Sequence, residues 1–348
     1  MTQFSRRIFL KTTAGVVAVA ATGAGRAVFA ADRPLIVGSY AGTFEEAMKS
    51  TFVQKFVADT GVPVELSIGG PSQWLSQVDA NPDSPPVDVI LTSPRDALSE
   101  GATGNYGKIS DHDLPNLADV DPRFVDICGG YGVAFDYGGG GLAVNTNAVK
   151  NPPKSIKEFV QRTIDGEWVA ALPTLSWQAT PTDLIWAFND ALGGTVDDIS
   201  PFIDAMKAMK PNLVFWTGLP DFLTLMQSGE ADIGVYTDGR TWAFNRAGNP
   251  WLQFINPEEG AVIECIAAMV PAHAHPKAWD FVNYMLDPVL QGQFAAITYY
   301  GMTNSKIVYP DSVKDIVTRW QQGRLVPTEE IAAVTPKWVE TWNRELGF

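Results

Sequence analysis

Short apolar runs and helical stripes take turns along this chain. Leu35-Ile36-Val37-Gly38-Ser39-Tyr40 is a run of the kind that forms a strand covered on both faces. From Phe44 to Asp59, the residues Phe44, Ala47, Met48, Phe52, Phe56 and Val57 recur at helical spacing, and Gly61 stops the helix. Val62–Leu66 reads as the next strand, Ser72–Asp79 as a helix, and Val87–Leu91 as another buried strand ending at Thr92-Ser93-Pro94-Arg95. This β-α-β-α-β opening predicts a right-handed α/β unit with parallel strands.

Val133 to Val144 is extended and glycine-rich, with a run of four glycines from Gly138 to Gly141. Glycines weaken a strand unless a backbone or a ligand must come close, so this stretch predicts a hinge strand, with a loose surface loop as the alternative. A second alternation follows. Trp168–Leu172, Leu213–Trp216 and Ala231–Tyr236 read as strands. Thr182–Leu192, Ser200–Met209 and Pro220–Gly229 read as helices, and Asp238-Gly239 as a turn. Val262–Val270 is an apolar run able to carry the chain back to the first unit. Helices are predicted at Lys277–Leu286, Pro288–Thr298, Ser312–Gln322 and Thr328–Arg344. The chain has 348 residues, more than one core usually organises, so two lobes are expected.

Charge narrows the partners. The chain holds 25 basic and 39 acidic residues, a net charge of −14. A surface this acidic repels nucleic-acid phosphates and anionic lipid. At the N-terminus, Ser5-Arg6-Arg7-Ile8-Phe9-Leu10-Lys11 fits the twin-arginine export signal at each position. It precedes a mild apolar stretch, Thr12–Ala24, too short to span a membrane. Val28-Phe29-Ala30 suits a signal peptidase, so residues 1–30 are expected to be a signal peptide handed to the twin-arginine machinery, leaving a soluble periplasmic monomer. Cys128 and Cys265 lack metal-site spacing; an oxidising compartment allows them to pair, and sequence leaves that open. His273 and His275, between Pro271 and Pro276, read as a solvated turn. No H-E-x-x-H, G-x-S-x-G or phosphate loop is present, so no cofactor and no catalysis are expected.

The stretches "GSYAGTFEEAMKSTFVQKFVADTGVPVEL", "VDVILTSPRDAL", "GGGGLAVNTNAV", "LMQSGEADIGVYTDGRTWAFNRAGNP", "AAMVPAHAHPKAWDFVNYMLDP" and "TYYGMTNSK" follow one another in an order that resembles the family 1 extracellular solute-binding proteins. The likeness is to the spermidine/putrescine-binding group of ABC importers in particular. The resemblance implies a two-lobed α/β fold of the type II periplasmic binding proteins. In it each lobe is a mainly parallel sheet flanked by helices, the lobes are joined by hinge strands, and a solute is held in the cleft for delivery to an inner-membrane permease. By that analogy residues 32–137 and 267–303 form one lobe, and 138–266 with 304–348 the other.

In such a fold the cleft lies at the carboxyl ends of the strands. Four segments end a strand with small polar residues before a helix: Ser39–Thr43, Thr92–Asp96, Thr180–Asp183 and Thr217–Asp221. Helix capping explains them as well as ligand contact does. Tyr40, Ser93, Tyr137, Asp183, Thr217 and Tyr236 fall where the resemblance implies ligand contacts. A buried ammonium needs carboxylates and aromatic walls, and Asp183 matches an acidic position of polyamine binders. Asp238 and Glu264 could add carboxylates, although Glu264-Cys265-Ile266 stands where those binders carry Trp-x-Asp. An amine-bearing solute is the first reading. Arg95 and Arg240 support the alternative, a carboxylate or zwitterion. Tyr299-Tyr300 resembles the tyrosine pair of ferric-binding relatives, though aromatic packing explains the pair too. An exported enzyme is the competing class.

Overall fold

The computed structural model describes residues 33–174 and 180–347. The expected signal peptide, 1–30, lies outside the described residues. β1 (Leu35–Ser39) leads into a helix that runs as α1 (Thr43–Met48), a π turn (Lys49–Val53) and α2 (Gln54–Thr60), closed by Gly61 in the left-handed region at φ 71°. β2 (Val64–Ile68) pairs parallel with β1. α3 (Pro71–Ala80) then leads to β3 (Ile90–Thr92), extended backward by a parallel bridge between Val37 and Val89. α4 (Pro94–Gly101) starts directly after β3, and α5 (Arg123–Asp126) precedes β4 (Gly132–Asn145). The first unit is therefore parallel, as its apolar runs predict.

α6 (Ile156–Ile164), β5 (Ala170–Pro173), α7 (Thr180–Ala191), α8 (Ser200–Met209), β6 (Leu213–Trp216), α9 (Leu219–Ser228) and β7 (Ile233–Thr237) make the second unit, with β5 parallel to both β6 and β7. Asp238-Gly239 does not turn. It opens α10 (Asp238–Arg246), because the Asp238 carboxylate itself accepts the Gly239 N–H at 2.6 Å. β8 (Leu252–Ile255), a short run that the sequence pattern does not predict, pairs antiparallel with β4. β9 (Val262–Met269) returns the chain, followed by α11 (Ala278–Met285), α12 (Pro288–Thr298), β10 (Gly301–Met302), β11 (Arg324–Leu325) and α13 (Thr328–Leu346). Residues 312–322 form turns and a short 3₁₀ segment, not the expected helix. Their bonds are not helical: the Trp320 N–H donates to the distant Tyr137 Oη at 3.1 Å, and the Arg319 side chain donates within the segment to the Lys314 carbonyl at 2.8 Å.

β4 and β9 run antiparallel beside each other from Gly132/Met269 to Gly140/Val262, with a bulge between Ala134 and Asp136. Each belongs to the first unit at one end and to the second at the other. Each unit has its own apolar packing. The first unit's core gathers Leu35, Phe52, Phe56, Trp74, Phe124, Phe135 and Phe294; the second unit has a larger core with Phe159, Trp168, Phe188, Phe202, Trp338 and Trp342 and a smaller one around Trp216, Phe222 and Tyr236. Burying each such ring contributes about 1.5–3 kcal/mol. Tyr309, Trp320 and Leu325 pack on the first unit's core and Val326 on the larger core of the second. The glycine run is explained by close approach. A Cβ on Gly141 would lie 2.9 Å from the Ile255 carbonyl oxygen, and one on Gly140 would lie 3.1 Å from Glu264 Oε1. Cys128 and Cys265 are both free thiols.

Candidate binding cleft

Arg95 stands in the first turn of α4, in the first lobe, and Asp183 in the first turn of α7, in the second. Arg95 Nη2 donates to Thr182 Oγ1 at 2.7 Å and to Asp183 Oδ1 at 3.1 Å, so the lobes meet through an ion pair whose side chains are only 20% and 18% exposed. The contact is one-armed: Arg95 Nε is buried and has no hydrogen-bond partner among the described residues. Burial pushes the Asp183 carboxyl up to about 7, against the pull of Arg95 and Thr182. Arg95 thus pairs across the cleft. Asp96 instead accepts from Thr92 Oγ1 at 2.8 Å.

Behind this pair lie three more acids. Glu264 is on β9, where it crosses between the lobes. Burial, and then the neighbouring Asp183 and Asp238, hold its carboxyl well above the usual range, and Oε1 has no partner among the described residues. Asp238 is fully buried, with Oδ1 accepting the N–H groups of Gly139 (2.9 Å) and Gly239 (2.6 Å); burial still lifts it to about 6, with Thr318 and those amides pulling down. Asp136, on β4, is fully buried and neither oxygen has a hydrogen-bond partner among the described residues. The Ile266 amide approaches and only partly offsets the rise that burial imposes. Sequence reasoning missed Asp136. Its signal was there to read: it is the one charged residue in the apolar and glycine stretch from Gly132 to Val144.

Aromatic groups line this acidic floor. Tyr300 packs so closely on α10 that a Cβ at Gly239 would fall 2.3 Å from its ring. Burial raises its hydroxyl to about 12; Arg240 pulls it down, while Asp136, Asp238 and Glu264 push it up. The Tyr40 hydroxyl donates to the Leu91 carbonyl at 3.3 Å, its ring meets Phe44 edge-on at 5.2 Å, and after burial its strongest electrostatic neighbour is Asp136. Arg240 is exposed, forms no ion pair among the described residues, and acts on the hydroxyls of Tyr236 and Tyr300. Tyr299 ends α12 in the left-handed region at φ 63°.

Other expected contacts are not gathered there. Tyr137 faces the first core: its ring stacks on Phe124 at 6.1 Å and its oxygen accepts the Trp320 N–H. A strand's alternation explains this, since its neighbour Asp136 takes the opposite face. Ser93 caps α4 by accepting from the Asp96 N–H at 3.1 Å. Thr217 is exposed and donates to Asp221 Oδ2 at 2.7 Å. Tyr236 is buried, stacked on Phe222 at 4.1 Å, with its hydroxyl donating to the Leu219 carbonyl at 2.8 Å. His273 is exposed as expected, but His275 is buried, its Nδ1 accepting from the Lys277 N–H at 3.0 Å.

Residues 51–319 match the sequence profile of bacterial extracellular solute-binding proteins. An Fe(3+)-binding periplasmic protein of Serratia marcescens is 26% identical over 254 residues, which cover 69% of this chain and 69% of that one. A thiamine-binding periplasmic protein of Escherichia coli K12 is 23% identical over 270 residues, covering 75% and 77%. The crystal structure of an extracellular solute-binding protein from Bordetella parapertussis superposes with a TM-score of 0.82 at 27% identity, over 90% of this chain and 99% of that one. These are binding proteins, not enzymes. With two α/β lobes, paired crossing strands and a cleft between them, the chain belongs to the bacterial extracellular solute-binding protein family, the periplasmic receptors of ABC importers.

Proposed function

We propose that the solute carries a positively charged nitrogen, as an amine or polyamine does, and that Glu264, Asp183, Asp238 and Asp136 receive it between Tyr40 and Tyr300. The observation that carries this reading is the charge balance of the site: two fully buried carboxyls, Asp136 and Asp238, and two partly buried ones, Asp183 and Glu264, stand against the single partly buried guanidinium of Arg95. Unpaired buried carboxyls are destabilising and hold protons that a cation can replace. A single ammonium at Glu264 would sit between Asp183 and Asp238, the two acids that act on it. The relatives named for Fe(3+) and for thiamine agree in sign, since both those cargoes are cations. Closure would bend β4 and β9 near Tyr137–Gly141 and Glu264–Ala267, delivering the closed form to the permease. The N-terminal twin-arginine motif supports export by that route.

A thermal-shift screen tests the reading, because a ligand at 100 times its Kd adds about 2.7 kcal/mol to the folded state. Amines should raise the melting temperature, and organic acids without an amine should not. Stabilisation by such acids alone, or by ferric salts alone, would overturn it.

A further inference from the structure

The cleft shows unmet hydrogen-bonding demand of both signs. On the acceptor side, Glu264 Oε1 and both oxygens of Asp136 are buried without partners among the described residues. On the donor side, Arg95 Nε is buried in the same condition, although guanidinium groups seek two parallel bonds to one carboxylate. Asp183 does not supply them. Only Nη2 of Arg95 reaches it, at 3.1 Å, and that nitrogen's shorter contact, 2.7 Å, is to Thr182 Oγ1. A solute offering only positive charge would leave the Nε–H without an acceptor. It would also compete with the guanidinium for Asp183. A solute offering a carboxylate as well would take the fork of Arg95 and leave Asp183 and Glu264 to its ammonium, so that one internal ion pair becomes two with ligand. Arg95 and Asp183 belong to different lobes, so a ligand spanning them also draws the lobes together.

We infer that the solute is a zwitterion of amino-acid type, whose acid group is held in two-pronged fashion by Arg95 while its ammonium lies against Asp183 and Glu264. This rests on the cationic reading above and narrows it. It makes Arg95 the residue that separates amino acids from amines of the same length. Arg240, exposed beside Tyr300, is placed too far out to share that buried role.

The test is calorimetric titration with three probe series matched by chain length: unbranched ω-amino acids from glycine to 6-aminohexanoate, the corresponding α,ω-diamines, and the corresponding monoamines. At one length or more, the amino acid should bind at least tenfold more tightly than the diamine and the monoamine. Arg95→Gln should erase that advantage. Arg95→Lys, which keeps the charge but not the fork, should preserve the order of preference with weaker binding, and guards against a Gln variant that folds poorly. Diamines binding as tightly as amino acids at each length, silence from the whole amino-acid series, or an advantage that survives Arg95→Gln would each overturn the inference. Tight diamine binding would do so while leaving the cationic reading intact; added straight-chain carboxylic acids binding where no amine does would sink both.

Discussion

Replacing Glu264 by Gln separates binding from folding in this protein. Burial and two neighbouring acids hold the Glu264 carboxyl well above the usual carboxylate range, which favours its protonated form in the free protein. Gln has nearly the same shape and is also neutral. The free variant should therefore keep its stability to within about 1 kcal/mol, the scale of one neutral hydrogen bond, a change of roughly 2–4 °C or less in Tm. Ligand binding changes the balance. An arriving ammonium makes ionisation favourable, and the acid that loses a proton gains a charged hydrogen bond of about 1.5–3 kcal/mol. Gln cannot ionise, so affinity for the cationic ligand should fall roughly 10- to 100-fold. The proton itself is measurable. Calorimetric titration in buffers of different ionisation enthalpy should show proton release on binding to the native protein and a smaller release in Glu264→Gln. Equal affinity together with an equal proton count would refute Glu264 as an anchor, and a collapsed Tm would refute its being neutral when free.

Other expectations follow from the same geometry. Asp183 and Asp238 are raised to about 7 and about 6, above the ordinary 3.8, so the stability they contribute is complete below about pH 4 and is lost as pH rises through 6 and 7. The Tm of the ligand-free protein should accordingly fall between pH 5 and pH 8 while affinity for a cationic ligand rises; a ligand-free Tm that climbs over that window would contradict the burial of these acids. Gly141→Ala forces a methyl to 2.9 Å from the Ile255 carbonyl and should cost about 1–3 kcal/mol in chemical denaturation, whereas an unchanged midpoint would show that β4 and β8 can part freely. Changing Arg6 and Arg7 together to Lys should leave precursor in the cytoplasm on fractionation, and normal periplasmic accumulation would exclude the twin-arginine route.

The elements were legible where local pattern and tertiary demand agree. Leu35–Ser39 is apolar throughout because it is covered on both faces, and α8 spans Ser200–Met209 because Phe202, Ile203, Met206 and Met209 form one buried stripe. Residues 312–322 carry a similar stripe in Val313 and Val317 and yet turn repeatedly, since Tyr137 and the lobe crossing take hold of that segment from outside it. The site was half legible. Asp183, Glu264, Asp238, Arg95 and Tyr40 follow from strand ends and the likeness to binding proteins. Tyr137 packs on the first core while Asp136 takes the opposite face: a one-residue step on a strand decides which side chain goes where, and the bulge at Ala134/Asp136 lies in that very stretch. Strand periodicity cannot locate a bulge.

The placement of the acids joins charge to motion. Glu264 and Asp136 are on the two strands that pass between the lobes, and Asp238 is tied by hydrogen bond to the backbone of one of them at Gly139. Bending those strands moves the acids relative to one another and to Asp183, which travels with the second lobe. Bringing the lobes together concentrates carboxyls in a space that water leaves, and that opposes closure unless protons or a cation enter. The Arg95–Asp183 pair across the mouth supplies part of the compensation from within the protein. On the proposed reading a solute with the right charges supplies the rest, and the closed form is favoured only when the cleft is filled.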